Sequence, residues 1–221
     1  MKLLLSLFFL HIGLICVAQL PKGFVYVQDV IPTLHTELRY HTSNNFVGKP
    51  IDGYEANRLI ITKQTAKALK AVEEELLKQN MCLLVYDGYR PQRAVNEFIR
   101  WARDLNDTIN KKIFYPNVDK RNLFKEGYIA SQSGHSRGST LDLTIIDGTT
   151  NKPLDMGSPY DFFGPISWIE HQNLTEEQKN NRQILQKVMI KHGFRPYPKE
   201  WWHFTLRGEP FPDTYFDFVI K

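Results

Sequence analysis

The sequence predicts an α+β fold: a single domain over residues 19–221 in which a mixed or antiparallel central sheet is flanked by helices. Segments with the 3.6-residue apolar period of helices are mixed with short apolar runs rich in β-branched residues, without the strict strand–helix–strand rhythm of a parallel α/β sheet. No internal repeat, low-complexity segment or Gly/Ser-rich linker divides the chain, so one domain is expected. These patterns leave the strand order open.

Three segments carry the apolar period of an amphipathic helix. The first covers residues 62–79, and a threonine at position 62 or 65 is suited to cap its start. The second opens at Pro91, since proline is well tolerated in a first helical turn. The third begins with Thr175-Glu-Glu-Gln and is expected to stop at Gly193.

Three apolar runs are short enough to be buried strands: Met81–Tyr86, Leu141–Ile146 and Trp201–Leu206. Prolines at positions 196 and 198 disfavour a helix before the third run, so Glu200 is expected in a turn that leads into that strand. Cys82 lies within the first run, where a buried, inert thiol is expected rather than a nucleophile.

The composition is that of a folded globular domain. Hydrophobic residues make up 42% of the chain and charged residues 24%, which argues against disorder. The formal net charge is +4, but the basic residues are scattered, with no run of five or more. Nucleic-acid binding is therefore not expected, because such binders concentrate positive charge on one face or in one tail.

Residues 1–18 have the pattern of a secretory signal peptide. A lysine at position 2 precedes the almost wholly apolar run Leu3–Val17, and Ala18 closes this run with the small Cys16 two positions before it. The run is shorter than the ~20 residues of a spanning helix. A lipoprotein would acylate Cys16, but the bulky Ile15 precedes it; a buried N-terminal strand or helix is a further alternative. We expect export to the periplasm and no stable membrane insertion of the mature chain.

A glycine-containing loop connects a histidine to a nearby aspartate in the sequence. Residues 133–142 read Ser-Gly-His-Ser-Arg-Gly-Ser-Thr-Leu-Asp, and the two glycines allow a tight loop, which can fold His135 back beside the Asp142 carboxylate. Asp142 stands between two leucines of a predicted strand, where an unpaired carboxylate is costly to bury. From the spacing alone, a structural histidine and a turn-forming aspartate explain the pattern equally well.

The segment Glu200-Trp-Trp-His203 supplies a second histidine and a further carboxylate. Two histidines and one aspartate leave the fourth position of a tetrahedral zinc ion open, as in catalytic zinc sites. A nearby carboxylate that does not bind the metal, such as Glu200, is suited to proton transfer. The remaining histidines of the mature chain are interpreted as surface, core or helix-end residues: His35, His41, His171 and His192.

Several long motifs resemble the D-alanyl-D-alanine dipeptidases, the VanX-like branch of the zinc peptidases that also includes DD-carboxypeptidases. The resemblance begins with SGHSRGSTLDLT at residue 133 and EWWHF at residue 200. It extends over most of the mature chain through NFVGKPIDGYEANR at residue 45, DGYRPQRAVNEFIRWA at 87, YPN at 115, MGSPYDFF at 156 and EPFPDTYFDF at 209. The resemblance implies an α+β zinc peptidase with the metal in a cleft.

The resemblance also implies roles for the site residues. One zinc ion per chain is expected on His135, Asp142 and His203, and the zinc would activate water for hydrolysis of D-alanyl-D-alanine to two D-alanines. Glu200 is expected to be the general base and acid. Arg90 is expected to stabilise the oxyanion, where a fixed guanidinium suits developing negative charge.

The implied substrate contacts distinguish two enzyme hypotheses. Ser133 and Asp161 match positions that hold the substrate, with Asp161 facing the free ammonium of the dipeptide. The alternative enzyme is a DD-carboxypeptidase that acts on peptidoglycan stem peptides. A binding module that has lost catalysis would be expected to lack Glu200 or Arg90, and both are present. A simple salt bridge between Arg90 and Asp87 is the alternative structural role for that arginine.

Overall fold

A five-stranded sheet lies at the centre of the computed structural model, which describes residues 20–221. In spatial order its strands are β2 (His35–Thr36), β4 (Met81–Asp87), β5 (Thr140–Asp147), β7 (Glu200–Leu206) and β6 (Phe194–Tyr197). The β2–β4 pair is parallel and the other three pairs are antiparallel. A second, two-stranded antiparallel sheet joins β1 (Phe24–Tyr26) to β3 (Ile60–Thr62). The predicted α+β class with a mixed sheet is confirmed.

The three predicted helices are present as α1 (Lys63–Leu77), α2 (Gln92–Arg103) and α5 (Glu176–Lys191). Thr62 caps α1 by accepting a hydrogen bond from the backbone N–H of Thr65, and a reciprocal capping box starts α5. Two single-turn helices lie between α2 and β5: α3 (Lys111–Phe114) and α4 (Leu123–Glu126). The described residues also form short 3-10 helical turns at Val27–Asp29, Arg39–His41, Lys120–Asn122, Gly134–Arg137 and Pro165–Ser167.

The three predicted strands are β4, β5 and β7, each within one or two residues of the predicted ends. The prediction for Glu200 is wrong in one detail, since Glu200 is the first residue of β7 and not part of the preceding turn. Pro196 lies inside β6. A proline is tolerated there because β6 is an edge strand, and on its open side there is no neighbouring strand whose hydrogen bonds the missing N–H would interrupt.

Two apolar clusters hold the structure together. One lies between the central sheet, α1 and α5; it contains the sheet residues Leu83, Leu143 and Phe204, all fully buried. The other is rich in aromatic rings and packs α2 through Phe98 and Trp101 against the segments that surround the site described below. Asp87 of β4 is paired with Asp142 of β5, and Asp142 is paired with His203 of β7, so the sheet brings these three polar side chains together.

The predicted signal peptide, residues 1–18, lies outside the described residues. From Leu20 to the C-terminus, no helix has both the length and the apolar character needed to cross a membrane. Cys82 is buried in β4 as predicted. Its burial raises the pKa of the thiol, which agrees with an inert side chain.

Candidate metal centre and substrate pocket

The register of two antiparallel strands places Asp142 beside His203. These residues are paired across β5 and β7, and directly opposed side chains project from the same face of a sheet. The distance from Asp142 Oδ1 to His203 Nδ1 is 3.1 Å. Strand pairing alone therefore brings Asp142 and His203, which are 61 residues apart in sequence, into direct contact.

The loop before β5 brings in His135. Its 3-10 turn is capped by Ser133, whose hydroxyl accepts from the backbone N–H of His135 at 3.3 Å. The turn ends at Gly138 with φ +77°, and a Cβ there would lie 2.3 Å from the ring of Phe24. This loop therefore needs glycine at position 138, both for the left-handed backbone and for the close approach.

The hydrogen bonds of His135 decide which ring nitrogen faces the site. Nδ1 lies 2.8 Å from the carbonyl oxygen of Gly88, and a carbonyl can only accept, so Nδ1 carries the proton. In the neutral ring, Nε2 then has a free lone pair. Nε2 lies 3.3 Å from Asp142 Oδ1 and 3.4 Å from His203 Nδ1.

The three ligand atoms fit a zinc ion. Tetrahedral ligands at ~2.05 Å from zinc are ~3.3 Å apart, and the three observed separations are 3.1, 3.3 and 3.4 Å. Among residues 20–221, Asp142 Oδ1 is buried with no hydrogen-bond partner, which is costly unless a cation lies against it. Two imidazole nitrogens and one carboxylate oxygen are also the donor types that zinc prefers. Within residues 20–221 this is the one group of three potential ligands found.

The electrostatics of the centre favour positive charge. Burial opposes ionisation of Asp142, but His135 and His203 outweigh it and hold the pKa of this carboxyl well below its usual range. Burial also acts to lower the pKa of His203, but the adjacent carboxylates of Asp142 and Glu200 outweigh burial and raise it to about 9. The carboxylates around the two histidines therefore attract a cation, either a proton or a metal ion.

Glu200 and Arg90 both lie beside the metal centre, Glu200 next to His203 and Arg90 next to Asp142. Glu200 Oε2 lies 3.3 Å from His203 Nδ1, and the partly exposed carboxylate faces the pocket. Arg90 donates from Nε to Asp87 Oδ2 at 2.9 Å, and its Nη2 lies 3.4 Å from Asp142 Oδ2. The salt bridge between Arg90 and Asp87 is thus present, and it holds the guanidinium against the metal centre.

Asp161 lines the same pocket, with 7% of its surface exposed. Its backbone has φ +61°, a left-handed conformation that aspartate tolerates better than most residues. One carboxylate oxygen accepts a hydrogen bond from the hydroxyl of Tyr40 at 2.8 Å. Burial raises the pKa of Asp161 to about 8, so any cation that enters the pocket stabilises the ionised form of this carboxyl.

A cavity of about 310 Å³ joins these groups. This volume is at the small end of the ~300–1,000 Å³ range of ligand pockets, so the site suits a small ligand. The structure brings all seven residues predicted from the sequence to its lining: Arg90, Ser133, His135, Asp142, Asp161, Glu200 and His203. Aromatic and apolar side chains complete the walls: Tyr40, Phe46, Phe98, Tyr128, Ile129, Phe163 and Tyr197.

Two tyrosines that contact the site were missed by the sequence reasoning. Tyr40 donates to Asp161, and Tyr160 donates to Asp142 Oδ2 at 3.1 Å. Tyr160 directly precedes Asp161 in the MGSPYDFF motif, so its position in this motif was the sequence feature that indicated Tyr160. Tyr40 lies outside every quoted motif. The prediction for Ser133 also missed its capping role in the His135 loop.

The other described histidines lie away from this centre. His41 Nδ1 is 3.0 Å from the carbonyl oxygen of Tyr54, and His192 Nε2 is 2.7 Å from Glu75. His35 is exposed on the edge strand β2, and His171 directly follows the turn at residues 169–170. None of the four belongs to the metal-ligand group found in residues 20–221.

The family model described as "D-ala-D-ala dipeptidase" matches residues 21–221 of the chain. This chain belongs to the D-Ala-D-Ala dipeptidase family. Among its relatives, the D-alanyl-D-alanine dipeptidase of Enterococcus faecalis is 42% identical over 200 residues, which cover 90% of this chain and 99% of the relative. The D-alanyl-D-alanine dipeptidase of Streptomyces coelicolor is 43% identical over 197 residues, covering 89% and 98%.

A likeness to a solved structure is much weaker. A zinc-bound mutant of a vancomycin resistance D,D-pentapeptidase aligns with a TM-score of 0.43 at 15% identity, covering 69% of this chain and 76% of that chain. A likeness at this level supports no conclusion about the site. The assignment to the family therefore rests on the match over residues 21–221 and on the two dipeptidases.

Proposed function

We propose that the chain is a zinc-dependent dipeptidase that hydrolyses D-alanyl-D-alanine to two D-alanine molecules. The observation that carries the proposal is the ligand group of His135, Asp142 and His203, with its zinc-like spacing, beside the Glu200 carboxylate in one small pocket. Membership of the D-Ala-D-Ala dipeptidase family supplies the substrate. One zinc ion per chain and a small-molecule substrate follow from this function.

The chain's own groups account for the proton and charge movements. When bound, the zinc ion supplies Lewis-acid chemistry that lowers the pKa of a water molecule and polarises a carbonyl. Glu200 removes a proton from the attacking water as the new C–O bond forms, and delivers it to the amine nitrogen as the C–N bond breaks. This role is supported by the position of Glu200 at the start of β7, where its Oε2 lies 3.3 Å from Nδ1 of the ligand His203.

Arg90 is assigned to the carbonyl oxygen of the substrate. Its hydrogen bonds to Asp87 and Asp142 use Nε and Nη2, and the guanidinium lines the pocket. Because the guanidinium is already held in position, it does not have to reorganise when negative charge develops on that oxygen. It therefore stabilises the transition state and lowers the activation barrier, in addition to binding the substrate.

Arg90→Lys is expected to lower kcat by ~100-fold or more while zinc content stays at one per chain, because lysine keeps the charge but loses the planar fork. Steady-state kinetics and metal analysis of the purified variant measure this. Arg93→Lys is the matched control, since Arg93 pairs with Asp217 on the surface and does not line the pocket. An increase in KM alone would assign Arg90 to substrate binding instead.

Asp161 is assigned to the free ammonium of the dipeptide. Among residues 20–221, Tyr40 is the one side chain that donates to the buried carboxylate, and an ammonium provides the positive charge that favours its ionised form. A longer peptide places an uncharged amide at this position, and the amide cannot compensate for desolvation of the carboxylate. The pocket therefore favours the free dipeptide over an acylated one.

The test compares kcat/KM for D-Ala-D-Ala with that for N-acetyl-D-Ala-D-Ala. We expect cleavage of the free dipeptide and little or none of the acetylated one. Asp161→Asn is expected to lower kcat/KM for the free dipeptide by ~10- to 100-fold, since a hydrogen bond to a charged group contributes about 1.5–3 kcal/mol. Asparagine also tolerates the left-handed backbone, so this change isolates the charge.

The control is Asp213→Asn, which removes an exposed carboxylate outside the pocket. Its kinetics are expected to match those of the unmodified protein on both substrates. Equal kcat/KM on free and acetylated dipeptide, or a preference for a stem pentapeptide, would identify the enzyme as a DD-carboxypeptidase.

We also propose that the enzyme is exported to the periplasm, where it would salvage dipeptide released from the cell wall. The support is the signal-peptide pattern of residues 1–18. The protein recovered from a periplasmic fraction is expected to begin at residue 19 by N-terminal sequencing. A full-length chain confined to the cytoplasmic fraction would refute export.

A further inference from the structure

The two carboxylate oxygens of Asp142 have different surroundings. Oδ1 lies 3.1–3.3 Å from the ligand nitrogens of His135 and His203 and has no hydrogen-bond donor in the described part of the chain. Oδ2 instead accepts a hydrogen bond from the hydroxyl of Tyr160 at 3.1 Å and lies 3.4 Å from Arg90 Nη2. The carboxylate is thus oriented with one specific oxygen towards the metal centre.

We propose that Tyr160 is a positioning residue of the metal centre: its hydroxyl holds Asp142 Oδ2, so that Oδ1 is the atom presented to zinc. The Arg90 contact is too long to do this alone, and that guanidinium is already engaged by Asp87 at 2.8–2.9 Å. Outer hydrogen bonds of this kind fix the orientation of metal ligands. The inference depends on the proposed function only through zinc and does not involve the substrate.

The ring of Tyr160 is held by other aromatic rings. It stacks on Tyr86 with a centroid distance of 4.5 Å and meets Trp202 edge to face at 5.5 Å. Only 1% of Tyr160 is exposed. Because such packing leaves a side chain little rotational freedom, the hydroxyl is already in place before any ion binds.

The backbone after Tyr160 directs two neighbouring side chains to one site. In extended chain, consecutive side chains point in opposite directions. The left-handed conformation at Asp161, φ +61°, interrupts this alternation. Tyr160 therefore reaches the ligand Asp142 while the next side chain lies in the pocket that Asp142 also lines.

A buried arginine on α5 fastens the segment that carries these residues. The guanidinium of Arg182 donates to the backbone carbonyl oxygens of Met156, Ile166 and Trp168 at 2.7–2.8 Å. These carbonyls lie on both sides of Tyr160 in sequence, so the segment 156–168 is attached to the core at its two ends. A fixed segment is what a positioning hydroxyl requires.

Tyr160→Phe tests the proposal, because it removes the hydroxyl and keeps the packed ring. The apparent zinc Kd, measured by competition with a chelator, is expected to rise ~10- to 100-fold, the usual effect of losing an outer hydrogen bond to a ligand. The visible spectrum of the cobalt-substituted protein is expected to shift, since the carboxylate is free to change its orientation. The melting temperature of the metal-free protein reports separately on packing.

Tyr86→Phe is the matched control. It removes a hydroxyl from the other member of the same stacked pair, and Tyr86 makes no contact with a ligand in the described hydrogen bonds. Its zinc Kd and cobalt spectrum are expected to stay unchanged. An unchanged zinc Kd in Tyr160→Phe would overturn the proposal. So would equal weakening in both variants, because that would assign the effect to aromatic packing.

Discussion

Glu200→Gln is expected to lower kcat by ~100- to 10,000-fold while the protein keeps one zinc ion per chain. General acid–base groups contribute a factor of this size, and the amide cannot accept the proton of the attacking water. Glutamine has the shape of glutamate, so the strand and pocket are preserved. Metal analysis and steady-state kinetics on D-Ala-D-Ala give the two measurements.

The short distance from Glu200 Oε2 to His203 Nδ1, 3.3 Å, makes the metal analysis decisive. If Glu200→Gln loses zinc together with activity, Glu200 is a ligand and not the base. Glu170→Gln is the control, because it neutralises an exposed glutamate that does not line the pocket. This control should retain both zinc and activity.

His203→Ala is expected to lose zinc and activity together, with a fall in kcat/KM of ~1,000-fold or more. Removing one of three ligands leaves an incomplete site, and the charge stabilisation supplied by the metal amounts to several kcal/mol. Treating the unmodified protein with a chelator should give the same loss. Adding zinc should restore the chelated protein, but not the His203→Ala variant.

His192→Ala is the control for the loss of an imidazole, since His192 pairs with Glu75 away from the pocket. It should bind zinc and hydrolyse the dipeptide normally. A metal-free preparation with full activity would contradict the zinc mechanism itself, whatever the variants do.

Local pattern predicted the long elements of the fold. Helices α1, α2 and α5 follow from the spacing of their apolar residues, because a helix of three or four turns shows its buried face within one segment. Strands β1, β2 and β3 contain two or three residues each, which is too short for any periodicity to be visible. Strand order also depends on contacts between distant segments, so the parallel β2–β4 pair had no local signal.

The sequence by itself determined the candidate ligands and the family. The candidate ligands lie in local sequence features: the Ser-Gly-His loop, an aspartate inside an apolar run and the Glu-Trp-Trp-His segment. A polar residue among apolar neighbours is informative whatever the fold, because burying it is costly unless it has a partner. The long motifs around them led to the D-Ala-D-Ala dipeptidases, and the match over residues 21–221 shows that family.

Only the tertiary structure decided which atoms meet. The pairing of Asp142 with His203 is a matter of strand register, and the orientation of Asp142 depends on Tyr160, which lies 18 residues away on another segment. Tyr40 reaches Asp161 across 121 residues of sequence. Such contacts depend on how the whole chain packs, so no local sequence pattern contains them. The physical reason is that ordering a side chain costs conformational entropy, and this cost is compensated only when the distant partner is in place.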